Sequence, residues 1–377
     1  RGVSLRALAR RTHYDAGYLS KVLAGHKSLS ADVASAIDAA LDAGGALIGL
    51  AMTVRRTADQ NASCVIDGHR VGSESGRPVD ADYVDSLRNS IAHIVALDSA
   101  NGSTDTSRLA ARMYQATQRK LSAGAYLPSV ERDLVATTAE FGELAGWLCF
   151  DAERQDDARR FNLEAFALSR QAGDRSMELF VLSNQAMQSV HTHRPREAMR
   201  ISDSVIERDR LSGRVGAIFR VRRARALAAL GARSAALDEF DHARAFLQDG
   251  IGTNDPLWTW WINERELSWH RGMVHASLDE WSEAVAHFRR AVENCDPSYR
   301  RGLYMHRVYL FEALIRVGSW SDAEDVLTEV LPLVDEVGSA RAERLLDRVG
   351  MLVRQTGEPI PSTIRDAMTT IQIREQQ

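Results

Sequence analysis

The feature that most limits how this 377-residue chain can fold is a recurrence of small residues at two fixed offsets. Gly146 is followed twelve residues on by Ala158 and nineteen on by Ala165. The same offsets join Ala186, Ala198 and Val205, then Ala224, Ala236 and Ala243. They recur in Gly272, Ala284 and Ala291, and more weakly in Phe311, Ala323 and Val330. The middle members Ala158, Ala198, Ala236, Ala284 and Ala323 are spaced by 40, 38, 48 and 39 residues. Two helices joined by a short turn bring such positions face to face, and small side chains there let the axes approach. From Asp80 onward the chain is therefore read as helix pairs. Each pair cannot bury its own apolar side, so neighbours stack. Helices near 80–98 and 104–123 are expected to cap the start, and helices near 339–355 and 362–374 the end. The stretch from Gly272 to Pro297, GMVHASLDEWSEAVAHFRRAVENCDP, is the clearest unit.

A different pattern occupies residues 4–41, SLRALARRTHYDAGYLSKVLAGHKSLSADVASAIDAAL. Ser4 is a good N-cap. Leu5, Leu8 and Ala9 share one helical face. The pattern breaks at Thr12, His13 and Tyr14. Asp15 then caps a second helix to Ala24 whose buried stripe is Leu19, Val22 and Leu23. Gly25 ends that helix, because glycine adopts the left-handed conformation cheaply. Ser28 or Ser30 caps a third helix carrying Val33, Ile37, Ala40 and Leu41 inward. The outward face of the Asp15–Ala24 helix holds Ala16, Gly17, Tyr18, Ser20 and Lys21. Small residues at its start allow close approach to a major groove. Tyr18 offers a hydroxyl or an aromatic contact, and Lys21 reaches a guanine edge or a phosphate. His26, Lys27 and Ser28 lie where donors usually meet phosphates. Tyr14 and Asp15 complete the DNA-facing set.

Charge agrees with a nucleic-acid contact confined to this head. The first 56 residues carry a net +4, while the whole chain carries −4, so the remainder is acidic.

The head resembles the XRE, or lambda-repressor-like, helix-turn-helix family. Leu5, Leu8, Ala9, the turn at His13, and the run Leu19-Ser20-Lys21-Val22-Leu23-Ala24-Gly25 carry the resemblance, extended by Ser28-Leu29-Ser30 and by Ile37 and Leu41. It implies that the second helix of the pair enters the major groove. Ala16, Gly17, Tyr18 and Lys21 are then base-edge positions, and His26 and Lys27 phosphate positions. The family favours polar residues where Ala16 and Gly17 stand, and Asn or Arg where Ala24 stands. The pattern opens at what would be the family's second helix, so its first helix is expected to be missing from this numbering.

The offsets of the later region resemble the tetratricopeptide repeat, although that repeat is 34 residues long. The resemblance implies a superhelix whose first helices line a concave face. Positions projected there are Glu140, Glu143, Trp147, Ser183, Met187 and His191, then Arg222, Arg225, Trp269, Met273, Glu312 and Arg316. From these the ligand-binding set is Glu143, Trp147, Met187, Arg222, Arg225, Trp269, Met273, Glu312 and Arg316. Aromatic, methionine and charged side chains together suit an extended peptide. The run Trp258-Thr259-Trp260-Trp261 accounts for the 48-residue spacing and marks a ligand pocket, a dimer contact or core packing.

The expected fold is all-α. A helix-turn-helix bundle spans 1–52, an exposed linker 53–79, and a tetratricopeptide-like α-solenoid 80–377. A short hairpin around Asp67-Gly68 is compatible with the linker. Domain order is similar to that of the RRNPP group, cytoplasmic regulators whose repeats bind a signalling peptide. That similarity implies a homodimer on a palindromic double-stranded DNA operator. A peptide, a small molecule or a protein partner would occupy the repeat groove. The competing reading is an adaptor whose repeats hold another regulator and whose head does not bind DNA.

Several classes are disfavoured. There is no GxxxxGK[ST], no GxGxxG after a strand, no HExxH and no GxSxG, so the chain is not expected to be an enzyme. Cys64, Cys149 and Cys295 are far apart without a CxxC, which fits a reducing cytoplasm and neither a zinc site nor a disulfide framework. His191 and His193 fall at an inter-helix turn and are read as solvated. No metal or cofactor is expected. No apolar run approaches the roughly 18 residues of a membrane span.

Overall fold

The computed structural model describes Leu5–Thr12, Leu19, Val33, Ala36, Ile37, Ala40, and residues 78–248, 254–355 and 360–375. Contacts divide the chain into two compact units, Arg1–Arg77 and Pro78–Gln377. The described residues are helical, apart from turns and two isolated bridges.

In the first unit, helix α1 spans Leu5–Thr12. Thr12 donates its hydroxyl back to Leu8 O at 2.9 Å, and Arg11 donates to Ala40 O at 3.3 Å. Leu8, Leu19, Val33 and Ile37 are all buried, and Leu19, Val33 and Ile37 are helical. The DNA-facing set Tyr14, Asp15, Ala16, Gly17, Tyr18, Ser20, Lys21, His26, Lys27 and Ser28 lies outside the described residues, as does the hairpin around Asp67-Gly68.

The second unit begins at Pro78. Val79, at the end of the expected linker, is buried and exchanges backbone hydrogen bonds with Ala125 and Leu127. Fourteen described helices follow. They are α2 (Ala81–Asn101), α3 (Ser103–Ser122), α4 (Glu131–Asp151), α5 (Gln155–Ala172), α6 (Arg175–His191), α7 (Pro195–Arg208) and α8 (Gly213–Ala229). Then come α9 (Arg233–Gln248), α10 (Glu264–Ser277), α11 (Trp281–Glu293), α12 (Arg300–Val317), α13 (Trp320–Glu336), α14 (Ala340–Gln355) and α15 (Ser362–Glu375).

Five antiparallel pairs, α4/α5 to α12/α13, carry the small residues read from sequence, but Gly146 faces Asn162, Gly272 faces Phe288, and Ala165 is met by Gly142. Every member from Gly146 to Val330 is buried. A methyl group on Gly272 would stand 2.5 Å from the Phe288 ring, so α10 and α11 meet there with no room to spare. Each pair is joined by the same turn. The residue five before the anchor alanine is left-handed in all five: Glu153, His193, Gly231, Asp279 and Gly318, with φ between 56° and 76°. The following N–H returns to a carbonyl five residues back at 2.7–3.0 Å, for example Arg154 to Cys149 and Glu280 to His275. This double closure caps the orphan carbonyls of the first helix and reverses the chain in three residues. Glycine suits it, yet Glu153, His193 and Asp279 accept the cost of the left-handed backbone.

The longer spacing before α10 is a short 3-10 helix, Leu257–Trp261. Trp258 stacks on Phe180 with centroids 4.5 Å apart and donates to Ser176. Arg214 donates to the carbonyl of Thr259 at 2.9 Å, which pins the segment on α8. Trp258 is therefore packing, whereas Trp260 is 67% exposed.

The first helices of the first four pairs lie side by side, α10 reaches α12 through the Trp269 ring against His306 and Tyr309, and α2 packs against both α4 and α12. The inner layer thus closes on itself. At the closure Gly338 N donates to Asn101 O at 2.9 Å and Thr104 N to Gly338 O at 3.2 Å. Gly102 has φ +85°, and a Cβ there would lie 2.2 Å from Gly338 O, so only glycine fits.

Candidate functional site

Closure buries the inner faces of the helices, and those faces are polar. At the seam, Asp151 ends α4 with no exposed surface. It accepts from Ser103 Oγ at 2.8 Å, Ser339 Oγ at 3.0 Å and Arg341 Nε at 3.1 Å. Arg301 stands 3.9 Å from Asp151 and 3.0 Å from Asp98. Burial acts to raise the Asp151 carboxyl, but Arg341 and Arg301 with the two hydroxyls hold it below the ordinary range. Trp147 is sandwiched into this seam. The Arg301 and Arg341 guanidiniums lie 4.9 and 5.7 Å from its ring, and its indole N–H donates to Asp98 at 3.4 Å.

Next to the seam lies a guanidinium pair on successive turns of α8. Arg222 is 2% exposed, donates to Ser183 O at 3.3 Å and meets His270 Nε2 at 3.1 Å. A guanidinium only donates, so Nε2 accepts and His270 is neutral. Burial, with Arg222 and Arg225 nearby, pulls the His270 imidazole down to about 4. Burial pulls His306 to about 3. Glu266 lies 3.4 Å from His270 Nε2 and 3.5 Å from Arg265, and its carboxylate also acts on Arg222 and Arg225. Arg225, 9% exposed, makes no hydrogen bond or ion pair with a described residue, and its Nε is enclosed without a partner. Burial and the neighbouring arginine charges lower Arg222 to about 9, and burial lowers Arg225 to about 10, so both stay charged at neutral pH.

A cleft of about 250 Å³ opens between inter-helix turns and α14. One wall is built from the turns of the first two helix pairs: Glu153, Gln155, His191, Thr192 and His193. The other is Tyr309 of α12 and Arg341, Arg344, Leu345 and Arg348 of α14. His191 contacts Glu153 at 2.8 Å, and Arg344 bridges to the same carboxylate at 2.8 Å. Arg348 pairs with Glu312 at 3.1 Å. Arg225 interacts electrostatically with Tyr309, Arg341 and Glu266.

Of the residues projected onto a groove, Arg222, Arg225 and Trp269 converge. The Trp269 ring lies 5.3 Å from His306 and 5.7 Å from Tyr309. Glu143, Met187 and Glu312 are buried too, and Met273 is half-buried against the core. Asn184 donates to Glu143 at 2.7 Å. Burial raises the Glu143 carboxyl to about 8. Arg316 is exposed and stacks over Trp281 at 4.6 Å. The buried side chains therefore lie in a closed interior, not along an open face. Sequence reading passed over Tyr309, Arg341, Arg344 and Arg348. The last three lie on α14, read only as an end cap. Their Arg-x-x-Arg-x-x-x-Arg spacing, which places cations on one helical stripe, was the available signal.

Among the described residues no group of three or more His, Cys, Asp or Glu side chains is placed to hold a metal ion, and no helix is long and apolar enough to cross a membrane. No protein-family model matches the chain, and no curated protein sequence matches it.

Proposed function

We propose that the chain is a non-catalytic, cytoplasmic, homodimeric transcriptional regulator. Its head is an XRE-like helix-turn-helix reader of a palindromic operator. Its body is a tetratricopeptide-like repeat that holds a peptide, a small molecule or a protein partner. The burial of Leu8, Leu19, Val33 and Ile37 carries this reading. Those four positions are the core stripe expected of three short helices in a DNA-reading register. The shared turn of the five helix pairs supports the repeat assignment. The polar interior beside the cleft supports a sensing role. Occupancy of the body would alter DNA affinity, and DNA would alter effector affinity by the same factor.

Fluorescence anisotropy on operator fragments recovered by genome-wide immunoprecipitation tests the proposal. Replacing Lys21 and Lys27 by alanine removes two phosphate-reaching charges. Binding should weaken across all sequences, and the slope of log affinity against log salt should fall by about 2. Immunoprecipitation without an enriched palindrome, or a salt-independent affinity, refutes the DNA reading and favours the adaptor.

A further inference from the structure

The run Trp258-Thr259-Trp260-Trp261 is only partly explained by packing. Trp258 and Trp261 pack against the hydrophobic core. Trp260 does not, and both it and Leu257 are 67% exposed. No other large apolar side chain among the described residues is more than 51% exposed. Leu257 and Trp260 are i and i+3 of one 3-10 helix, where such positions eclipse, so they share one face.

The patch they form is held rigid from beneath. Thr259 between them is buried and donates its hydroxyl to Pro256 O at 2.7 Å. The Arg214 guanidinium donates to the carbonyls of Thr259 and Trp260 at 2.9 and 3.3 Å. The Arg214 backbone N–H donates to Asp255 at 3.0 Å. A tryptophan pinned in this way loses little freedom when a partner covers it, and such residues anchor protein interfaces. Charge selects the partner. From Asn254 to Asn263 the only charged side chain is Asp255, already engaged by Arg214. The patch can therefore face its own copy without like-charge repulsion. Unpaired charges begin just outside it. Arg210, in the turn before α8, and Glu264, the first residue of α10, are both exposed, and neither pairs with a described residue. In a two-fold contact residue i meets j and j meets i, so one cation and one anion about a neutral centre complement themselves.

We infer that Leu257 and Trp260 form the centre of an isologous contact with a second copy of this chain, in which Arg210 of each protomer pairs with Glu264 of the other. This rests on the homodimer reading and names its interface. A stable dimer buries about 800 Å² per protomer, so the starts of α6, α8 and α10 around the patch make the rim. The apolar centre supplies affinity, and the rim pairs set orientation.

Sedimentation equilibrium of the full chain tests this. Wild type is compared with Trp260→Asp, Arg210→Glu, Glu264→Arg and the double variant Arg210→Glu/Glu264→Arg. All three positions are exposed, and circular dichroism checks that each variant folds. Leu257→Asp, equally exposed, stands in if Trp260→Asp does not. Trp260→Asp should raise the dimer Kd about a hundredfold or more, because the change occurs twice in the interface. Each single reversal should raise it about tenfold, and the double variant should return to within about threefold of wild type. A wild-type dimer that the aspartate variants leave intact, or a double variant no tighter than the single reversals, overturns this inference and leaves the homodimer standing. A wild type that is monomeric at ~100 μM overturns both, whether the patch is then bare or covered by the chain's own residues. DNA anisotropy on the same samples reads the operator claim separately.

Discussion

Asp151→Asn is the sharpest test of the closed inner layer. The substitution keeps the side chain's shape and one carbonyl acceptor and removes the charge. The carboxylate has no exposed surface and joins Ser103, 48 residues earlier, to Ser339 and Arg341, 188 and 190 residues later. Its loss leaves Arg341 without its partner and Arg301 with only Asp98. Breaking a buried pair from one side costs about 3–5 kcal/mol, which lowers the melting temperature by roughly 5–15 °C. The damage should also have a definite address. In hydrogen exchange with mass spectrometry, amides of the α2–α3 junction and the start of α14 should lose protection together. Those of α8 and α9, far along the chain and bound by their own pair contacts, should keep it. A double-mutant cycle with Arg341→Met should return a coupling of about 1–3 kcal/mol. If Asp151→Asn changes stability by less than about 1 kcal/mol, or if protection falls only within α4, the seam does not close the layer and the argument fails.

Two further tests address single groups. Glu143 is protonated in the folded chain up to about pH 8 but ionises near 4.5 when unfolded. Between those values the folded state binds more protons, so stability falls as pH rises through the window, on the order of 1.4 kcal/mol per unit of separation. Glu143→Gln should flatten that slope in urea melts from pH 5 to 9, and an unchanged slope would count against the assignment. At the inter-helix turns, Gly231 has φ 76° with nothing near a would-be Cβ, so Gly231→Ala isolates the backbone term and should cost about 1–2 kcal/mol. Asp279→Gly, at the equivalent position in a later pair, should have the opposite sign and gain about 0.5 kcal/mol. Denaturant midpoints that move the same way for both would show that the two turns are not equivalent.

The helix pairs and the burial of their small residues were legible in the amino-acid sequence. Residues across a three-residue turn have little freedom in where they meet, so the burial of Gly272 and Ala284 on facing helices is a local statement, although the Phe288 ring is what Gly272 meets. The core stripe of the head was legible for the same reason, because Leu8, Leu19, Val33 and Ile37 follow helical spacing. What the groove residues do was not legible. Arg222, Arg225, Glu143 and Trp269 were projected onto a concave face, whereas they are buried. An open face and a closed interior have the same helical periodicity. Whether α2 reaches α12, and so whether those side chains meet water or each other, depends on small rotations accumulated over five pairs. The pairing of Asp151 with Arg341, and the cleft that α14 completes, exist only once that sum has closed the layer, and no local pattern encodes it.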